Sequence, residues 1–171
     1  DGRTIIRKGS TAGTFTLYEG RTGDEIGQLK PDSPKGRFGL PTFLRDGQIA
    51  VSEIANGSAS LHVYDGLRRV SSVELGKAER ALVGRQPARG KLFVATSLSQ
   101  TGRMWTGTSR LLLIDLASGQ VSEIGRGLIP AWPLLSLRGL DPRDPAHAGS
   151  LASRLFMQEP DRMLVFDSES G

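Results

Sequence analysis

Arg110-Leu-Leu-Leu-Ile-Asp-Leu-Ala-Ser-Gly-Gln120 is an apolar run that ends at an acidic residue and a short turn containing glycine. The consecutive branched apolar residues favour a buried strand, and the Asp, Ser and Gly that follow are residues that turns prefer. The same order of strand formers, acidic residue and glycine turn recurs at 14–23, 60–66 and 162–171. The chain is therefore predicted to be built from repeated units of this kind.

The acidic residues of the four segments give the period of the repeat. They are Glu19, Asp65, Asp115 and Asp167, and their spacings are 46, 50 and 52 residues. This is the period expected of four-stranded sheets repeated around an axis. Because each acidic residue is attached to a turn, we expect its carboxylate to accept hydrogen bonds from the backbone of that turn, in preference to a catalytic ring of carboxylates.

The remaining apolar segments complete an all-β prediction. Each unit is read as a four-stranded antiparallel meander, with strands A to D in chain order and tight hairpins such as Asp46-Gly47 and Asn56-Gly57 between them. No segment has helical periodicity over ten residues, so we expect almost no helix, with one short turn near 77–82. The repeat units are predicted at about 1–39, 40–80, 81–131 and 132–171.

At the level of this pattern, nearly the whole chain resembles the β-propellers. Leu113-Ile-Asp-Leu-Ala-Ser-Gly119 is similar to the strand–Asp–x–x–x–Gly signature in blades of the WD-repeat and the quinoprotein or lactonase-like groups. The Gly-His and Trp-Asp dipeptides of the strict WD repeat are absent. Met104-Trp-Thr-Gly-Thr108 also resembles a strand of the propellers that precede some bacterial sensor kinases. The resemblance implies four-stranded antiparallel blades, about 3.5 of them in this chain.

The strand count predicts that this is part of a larger propeller. The sequence begins at an A–B turn and stops at a C–D turn, so fourteen strands are expected, without the first A and the last D. A propeller closes by pairing its terminal strands within one sheet, whereas here the two ends fall in different units. We therefore expect a piece of a propeller of about six to eight blades. The alternative is a compact four-bladed or sandwich-like arrangement.

Composition excludes several classes of site. The net charge of +4 is spread over the 171 residues without a charge block, which does not favour a nucleic-acid partner. There is no cysteine, and no apolar run approaches the ~18 residues of a membrane span. The sequence has no Gly-x-Ser-x-Gly elbow and no glycine-rich phosphate loop, and no cofactor is expected. The cellular compartment is left open.

Two irregular loops carry the predicted contact residues, because insertions in repeat folds collect on loops and loops carry function. The first, 97–109, contains Arg103 and Trp105. The second, 138–150, contains Asp141, Asp144 and His147, which could together present a cation site. His62 alternates with apolar neighbours in a strand, so we expect a structural role for it. The aromatic residues Trp105, Trp132, Phe38 and Phe43 could form a platform for a ligand, but most of them are expected to pack between blades.

These observations favour a non-enzymatic propeller module that binds a partner or serves as a scaffold. Its partner would be another protein, the remaining strands of a larger propeller, or a small-molecule ligand held by the loops. One alternative is part of a propeller enzyme, either lactonase- or dehydrogenase-like or the gating domain of a hydrolase, with its catalytic residues outside this segment. Another is a sensor ectodomain. Fold resemblance alone does not decide among these functions.

Overall fold

The chain folds into antiparallel sheets, and the computed structural model contains no helix among the residues it describes. The all-β prediction is therefore confirmed. The short helical turn expected near 77–82 was wrong, because β-strands end at Lys77 and begin at Arg80. The described residues are 4–9, 13–44, 46–84, 90–98 and 109–126, together with the strand backbones 129–130, 154–158 and 163–167.

The strands follow the predicted segments closely, since alternating apolar residues bounded by turn residues form them. The strands are β1 (Thr4–Lys8), β2 (Phe15–Glu19), β3 (Glu25–Leu29), β4 (Arg37–Phe38), β5 (Thr42–Phe43), β6 (Ile49–Ala55), β7 (Ser58–Asp65), β8 (Arg68–Lys77), β9 (Arg80–Val83), β10 (Lys91–Ser97), β11 (Ser109–Asp115), β12 (Val121–Arg126), β13 (Ile129–Pro130), β14 (Arg154–Gln158) and β15 (Met163–Asp167).

Paired strands are neighbours in sequence in every sheet, except that β4 and β5 both pair with β6. Sheet 1 has the order β1-β2-β3, and sheet 2 has the order β4-β6-β7-β8 with β5 also paired to β6. Sheet 3 has the order β12-β11-β10-β9, and sheet 4 has the order β13-β14-β15. The chain forms two compact units, Asp1–Val83 and Gly84–Gly171.

The hairpin between β6 and β7 confirms one predicted turn. Ala55 pairs with Ser58, so only Asn56 and Gly57 lie between the strands. Their φ angles are 52° and 76°, the left-handed region that a two-residue hairpin requires and that Asn and Gly tolerate best. This turn fixes the register of the two strands, and that register determines which side chains meet on each face of sheet 2.

In the first unit, β6 is buried on both faces. Every residue from Ile49 to Ile54 is buried, although successive side chains of a strand point to opposite sides. On one face, Ile49 and Val51 belong to a core cluster with residues of sheet 1. The other members of that cluster are Phe15, Leu17, Leu29, Phe38 and Tyr64. Sheets 1 and 2 are therefore packed face to face.

The opposite side of sheet 2 is in contact with β9. Three side chains of sheet 2, one each from β4, β5 and β6, donate hydrogen bonds to backbone carbonyls of β9 and of Glu79, the residue before it. The bonds are Arg37 Nη2 to Glu79 O (2.9 Å), Ser52 Oγ to Ala81 O (3.2 Å) and Thr42 Oγ1 to Val83 O (3.3 Å). Of the two phenylalanines expected to pack between sheets, Phe38 is buried in the core cluster, whereas Phe43 is 50% exposed.

The second unit contains an equally buried strand. All residues of β10 from Leu92 to Ser97 are buried, and β10 pairs with β11 from Lys91↔Asp115 to Ser97↔Ser109. The predicted A strand at 132–137 lies outside the described residues, and β13 at Ile129–Pro130 is the strand that pairs with β14.

Asp115 accepts the turn hydrogen bonds that the sequence predicts. Its Oδ1 accepts bonds from Ala117 N (3.1 Å), Ser118 N (2.9 Å) and Ser118 Oγ (3.0 Å). The prediction does not hold for Asp65, whose carboxylate pairs with Arg68 across a two-residue turn at 3.6 Å. A turn that short leaves no run of free backbone amides within reach of the carboxylate. Glu19 makes only backbone bonds in its turn, and the Asp167 side chain lies outside the described part of the chain.

We predict that replacing Asp115 with alanine lowers the melting temperature in a pH-dependent way. Hydrogen bonds from Ser118 lower the pKa of Asp115 below its usual 3.8. A carboxylate whose pKa is lower in the folded state stabilises the fold at pH values above its unfolded-state pKa, and this stabilisation is lost as the pH falls through the folded-state pKa. The difference in Tm between wild type and Asp115→Ala should therefore be largest at neutral pH and shrink below about pH 4. Thermal scans across this range test it, with Asp65→Ala as control; a pH-independent difference would contradict the assignment.

Candidate functional site

The residues singled out from the two irregular loops lie outside the described part of the chain. They are Arg103, Trp105, Asp141, Asp144 and His147. Their role as ligand or partner contacts stays a prediction. Within the described residues, a cluster of polar side chains that includes Asp32, Glu53 and His62 lies in the first unit, where sheet 2 faces sheet 1.

A buried histidine and a buried glutamate form the centre of this cluster. His62 lies on β7 and Glu53 on β6, and the register Val51↔His62 and Glu53↔Ser60 puts both on the same face of sheet 2. His62 Nε2 is 3.1 Å from Glu53 Oε2, and both residues are 4% exposed. A charged group this deeply buried needs hydrogen-bonding partners, and here His62 and Glu53 are partners of each other.

The loop between sheets 1 and 2 supplies further partners for Glu53. The backbone amide of Asp32 donates to Oε2 (3.1 Å), and that of Ser33 donates to Oε1 (3.2 Å). Gly36 of the same loop lies so close that a β-carbon there would be 2.3 Å from Glu53 Oε1 and 2.9 Å from Pro31 Cβ. The glycine therefore allows the loop to close over the carboxylate.

Replacing Gly36 with alanine should lower the free energy of unfolding by about 1–3 kcal/mol, the usual cost of forcing an extra methyl group into a filled site. The new methyl group would press on Glu53 Oε1 and on the backbone oxygen of Ser33. Urea denaturation measures the change. Lys35→Ala is the matched control, because Lys35 is exposed in the same loop and its loss should cost less than about 0.5 kcal/mol. Unchanged stability in Gly36→Ala would mean that the loop does not close on Glu53.

The second ring nitrogen of His62 has a partner on the neighbouring strand. Ser72 on β8 is directly opposite His62, and its Oγ is 3.0 Å from His62 Nδ1. A hydroxyl group can donate or accept, so Ser72 is compatible with either neutral tautomer of the imidazole. Ser72 is exposed, and through it this buried pair is connected to the outer surface of sheet 2.

An exposed ion pair borders the buried pair. The guanidinium of Arg69 on β8 donates to the carboxylate of Asp32, and this bond is the main cause that raises the pKa of Arg69. Tyr64 is next to them, and burial raises the pKa of its phenol, an effect that Arg69 partly offsets. Asp32 and Arg69 have 60% and 40% exposed side chains, so this edge of the cluster is open to solvent.

Aromatic rings pack around the histidine. The ring centroids of Phe38 and Tyr64 lie 6.4 and 6.3 Å from that of His62, both in edge-to-face orientation. Phe38 also stacks on Phe15 at 6.1 Å. The imidazole is thus fixed by packing as well as by hydrogen bonds, which limits it to one ring orientation.

The cluster contains three residue types that can bind a metal ion. Asp32, Glu53 and His62 each offer one ligand atom, and these atoms all lie within 4.8 Å of one another. The sequence pattern predicts a structural role for His62, and no sequence motif singled out Glu53, Asp32, Arg69 or Ser72. The available signal was Glu53 itself, a charged residue in the middle of the apolar run that forms β6.

Comparisons with known proteins show a shared fold. No protein-family model matches the chain, and no curated protein matches its sequence. A crystal structure of the uncharacterized protein lmo1340 from Listeria monocytogenes aligns with 98% of this chain and 51% of its own length, at a TM-score of 0.53 and 9% identity. The similarity covers about half of that protein.

A second solved structure is a candidate dipeptidyl aminopeptidase IV from Bacteroides ovatus. It aligns with 100% of this chain and 27% of its own length, at 12% identity and a TM-score of 0.41. The chain therefore spans about a quarter of that protein. The part of the chain that the structure describes includes no apolar helix of membrane-spanning length.

Proposed function

We propose that this chain is a segment of a β-propeller and that it serves as a binding or scaffold module. The observation that carries the proposal is the burial of β6 on both faces. In a two-sheet sandwich, each sheet has one face in the core and one in water, so its strands alternate between buried and exposed residues. A strand buried on both sides belongs to a sheet with a neighbour on each side, as in stacked propeller blades.

The contacts of sheet 2 support this proposal over the sandwich alternative. One face packs against sheet 1 through Val51 and Tyr64, and the other is bonded to β9 through Ser52 and Thr42. A repeat unit of this kind cannot bury its apolar side chains alone, so neighbouring sheets would stabilise one another. Such a stack is a rigid frame that presents its connecting loops, here 97–109 and 138–150, to a partner.

Affinity capture with the purified chain tests the binding role. We expect the chain to retain a protein partner from a lysate of its source organism, and deletion of 138–150 to abolish capture while the circular dichroism spectrum is preserved. Arg103→Ala and Trp105→Ala should weaken capture through the other loop. A matched control is Arg68→Ala, an exposed substitution in the β7–β8 turn of sheet 2.

The enzyme alternative predicts a different result. If the wild-type protein retains no partner but hydrolyses a small cyclic ester, the binding proposal is wrong and the lactonase-like interpretation is favoured. Capture that survives both loop changes would also contradict the proposal, because the contact surface would then lie elsewhere.

A further inference from the structure

We propose that Asp32, Glu53 and His62 form a binding site for one divalent transition-metal ion of the zinc class. The three residues come from the loop before β4, from β6 and from β7, and their donor atoms lie within 4.8 Å of one another. Carboxylate oxygens and imidazole nitrogens are both ligands of such ions.

The separation of the two buried donors fits a shared ion. His62 Nε2 and Glu53 Oε2 are 3.1 Å apart. Two donors bound tetrahedrally to one Zn²⁺ at about 2.0–2.1 Å lie about 3.3 Å from each other. The ion can therefore be bound by both atoms with a shift of only a few tenths of an ångström, and it would take the place of the hydrogen bond between them.

Ser72 provides the partner that a ligating histidine requires. A metal-bound imidazole donates its other N–H to an oxygen, which fixes the tautomer and the ring orientation. Ser72 Oγ, 3.0 Å from His62 Nδ1, can accept that hydrogen bond. In this tautomer the Nε2 lone pair faces the Glu53 carboxylate, so two acceptors point at one position and a cation there satisfies both.

Glu53 is held in place by hydrogen bonds and still has lone pairs with which to bind a metal ion. The amides of Asp32 and Ser33 fix the carboxylate, and a carboxylate has about four lone-pair positions for two oxygens. The backbone of Asp32 is thus already anchored at the site, while its side chain is 60% exposed and can turn towards the ion. This exposed edge also gives the ion access and leaves a coordination position for water.

Charge favours a cation over the present arrangement. With a neutral imidazole, the cluster holds two carboxylates against the single guanidinium of Arg69, which leaves one excess negative charge. Arg69 now occupies the carboxylate of Asp32 and competes with the ion for it. The proposal therefore predicts that Arg69 weakens metal binding, an effect that a purely structural cluster would not produce.

Titration calorimetry of the chelator-treated full chain with ZnCl₂ tests the site. We expect one ion per chain, and no comparable binding of CaCl₂ or MgCl₂, because imidazole favours transition metals. His62→Gln should abolish binding, Asp32→Asn should weaken it about tenfold or more, and Ser72→Ala should weaken it by about 10–100-fold. Arg69→Gln should tighten it several-fold. Cobalt(II) absorption gives a second readout of the ligand set.

The exposed variants keep the test decisive if His62→Gln does not fold. Asp32 and Arg69 are on the surface, so Asp32→Asn and Arg69→Gln should retain the wild-type circular dichroism spectrum. Asp24→Asn, which changes an exposed aspartate in the turn before β3, is the matched control and should bind as the wild type does. The proposal is overturned if the folded wild type binds no Zn²⁺, if folded Asp32→Asn binds unchanged, or if His147→Gln in the loop 138–150 abolishes binding.

Discussion

Replacing Glu53 with alanine is expected to lower the free energy of unfolding by about 3–5 kcal/mol, the usual cost of removing one partner of a buried charged pair. The carboxylate accepts hydrogen bonds from the amides of Asp32 and Ser33 and is hydrogen-bonded to Nε2 of His62. Alanine would leave these groups without their partner in a buried space. It would also free the loop that joins sheet 1 to sheet 2.

Denaturant unfolding followed by circular dichroism measures this effect. Glu74→Ala is the matched control, because Glu74 is an exposed glutamate of sheet 2 that accepts a hydrogen bond from the hydroxyl of Ser60, and its loss should cost less than about 0.5 kcal/mol. A double-mutant cycle of Glu53→Gln and His62→Gln should give a coupling of about 0.5–3 kcal/mol. Additive effects would show that the two side chains do not interact.

Replacing Leu17 with alanine should cost about 2–5 kcal/mol, because the substitution opens a cavity where sheets 1 and 2 meet. Leu17 on β2 is fully buried and belongs to the same core cluster as Ile49 and Val51 of β6. The cost includes the lost transfer of the side chain from water and the contacts that its neighbours lose.

Ile5→Ala is the control for Leu17→Ala. Ile5 lies on β1 of the same sheet but is 51% exposed, so its truncation should change stability by less than about 0.5 kcal/mol. Urea titrations of both variants measure the difference. Equal, small effects would contradict the face-to-face packing of sheets 1 and 2.

The strands could be predicted from the sequence because their signals are local. The Asn56-Gly57 hairpin follows from two residues that tolerate positive φ angles, and β11 follows from its four consecutive apolar residues, 111–114. The turn after Asp115 was also predicted correctly. Asp65 has a different role because its turn has only two residues, a length that the shared acidic position does not encode.

The polar cluster could not be predicted because it depends on three separate parts of the chain. His62 meets Glu53 only in the register that the β6–β7 hairpin imposes, and Ser72 meets His62 only through the pairing of β7 with β8. The amides that bind Glu53 belong to a loop 20 and 21 residues earlier in the sequence. Loop closure of this kind depends on packing between sheets, which strand patterns do not specify.

A crystal structure of the protein at its natural full length tests the propeller proposal most directly. The proposal predicts that the four sheets are arranged around a common axis, with sheet 2 covered on one face by sheet 1 and on the other by sheet 3, and that further strands complete the ring. Sheets joined edge to edge in one continuous sheet, or a sheet 2 with one face in solvent, would contradict it.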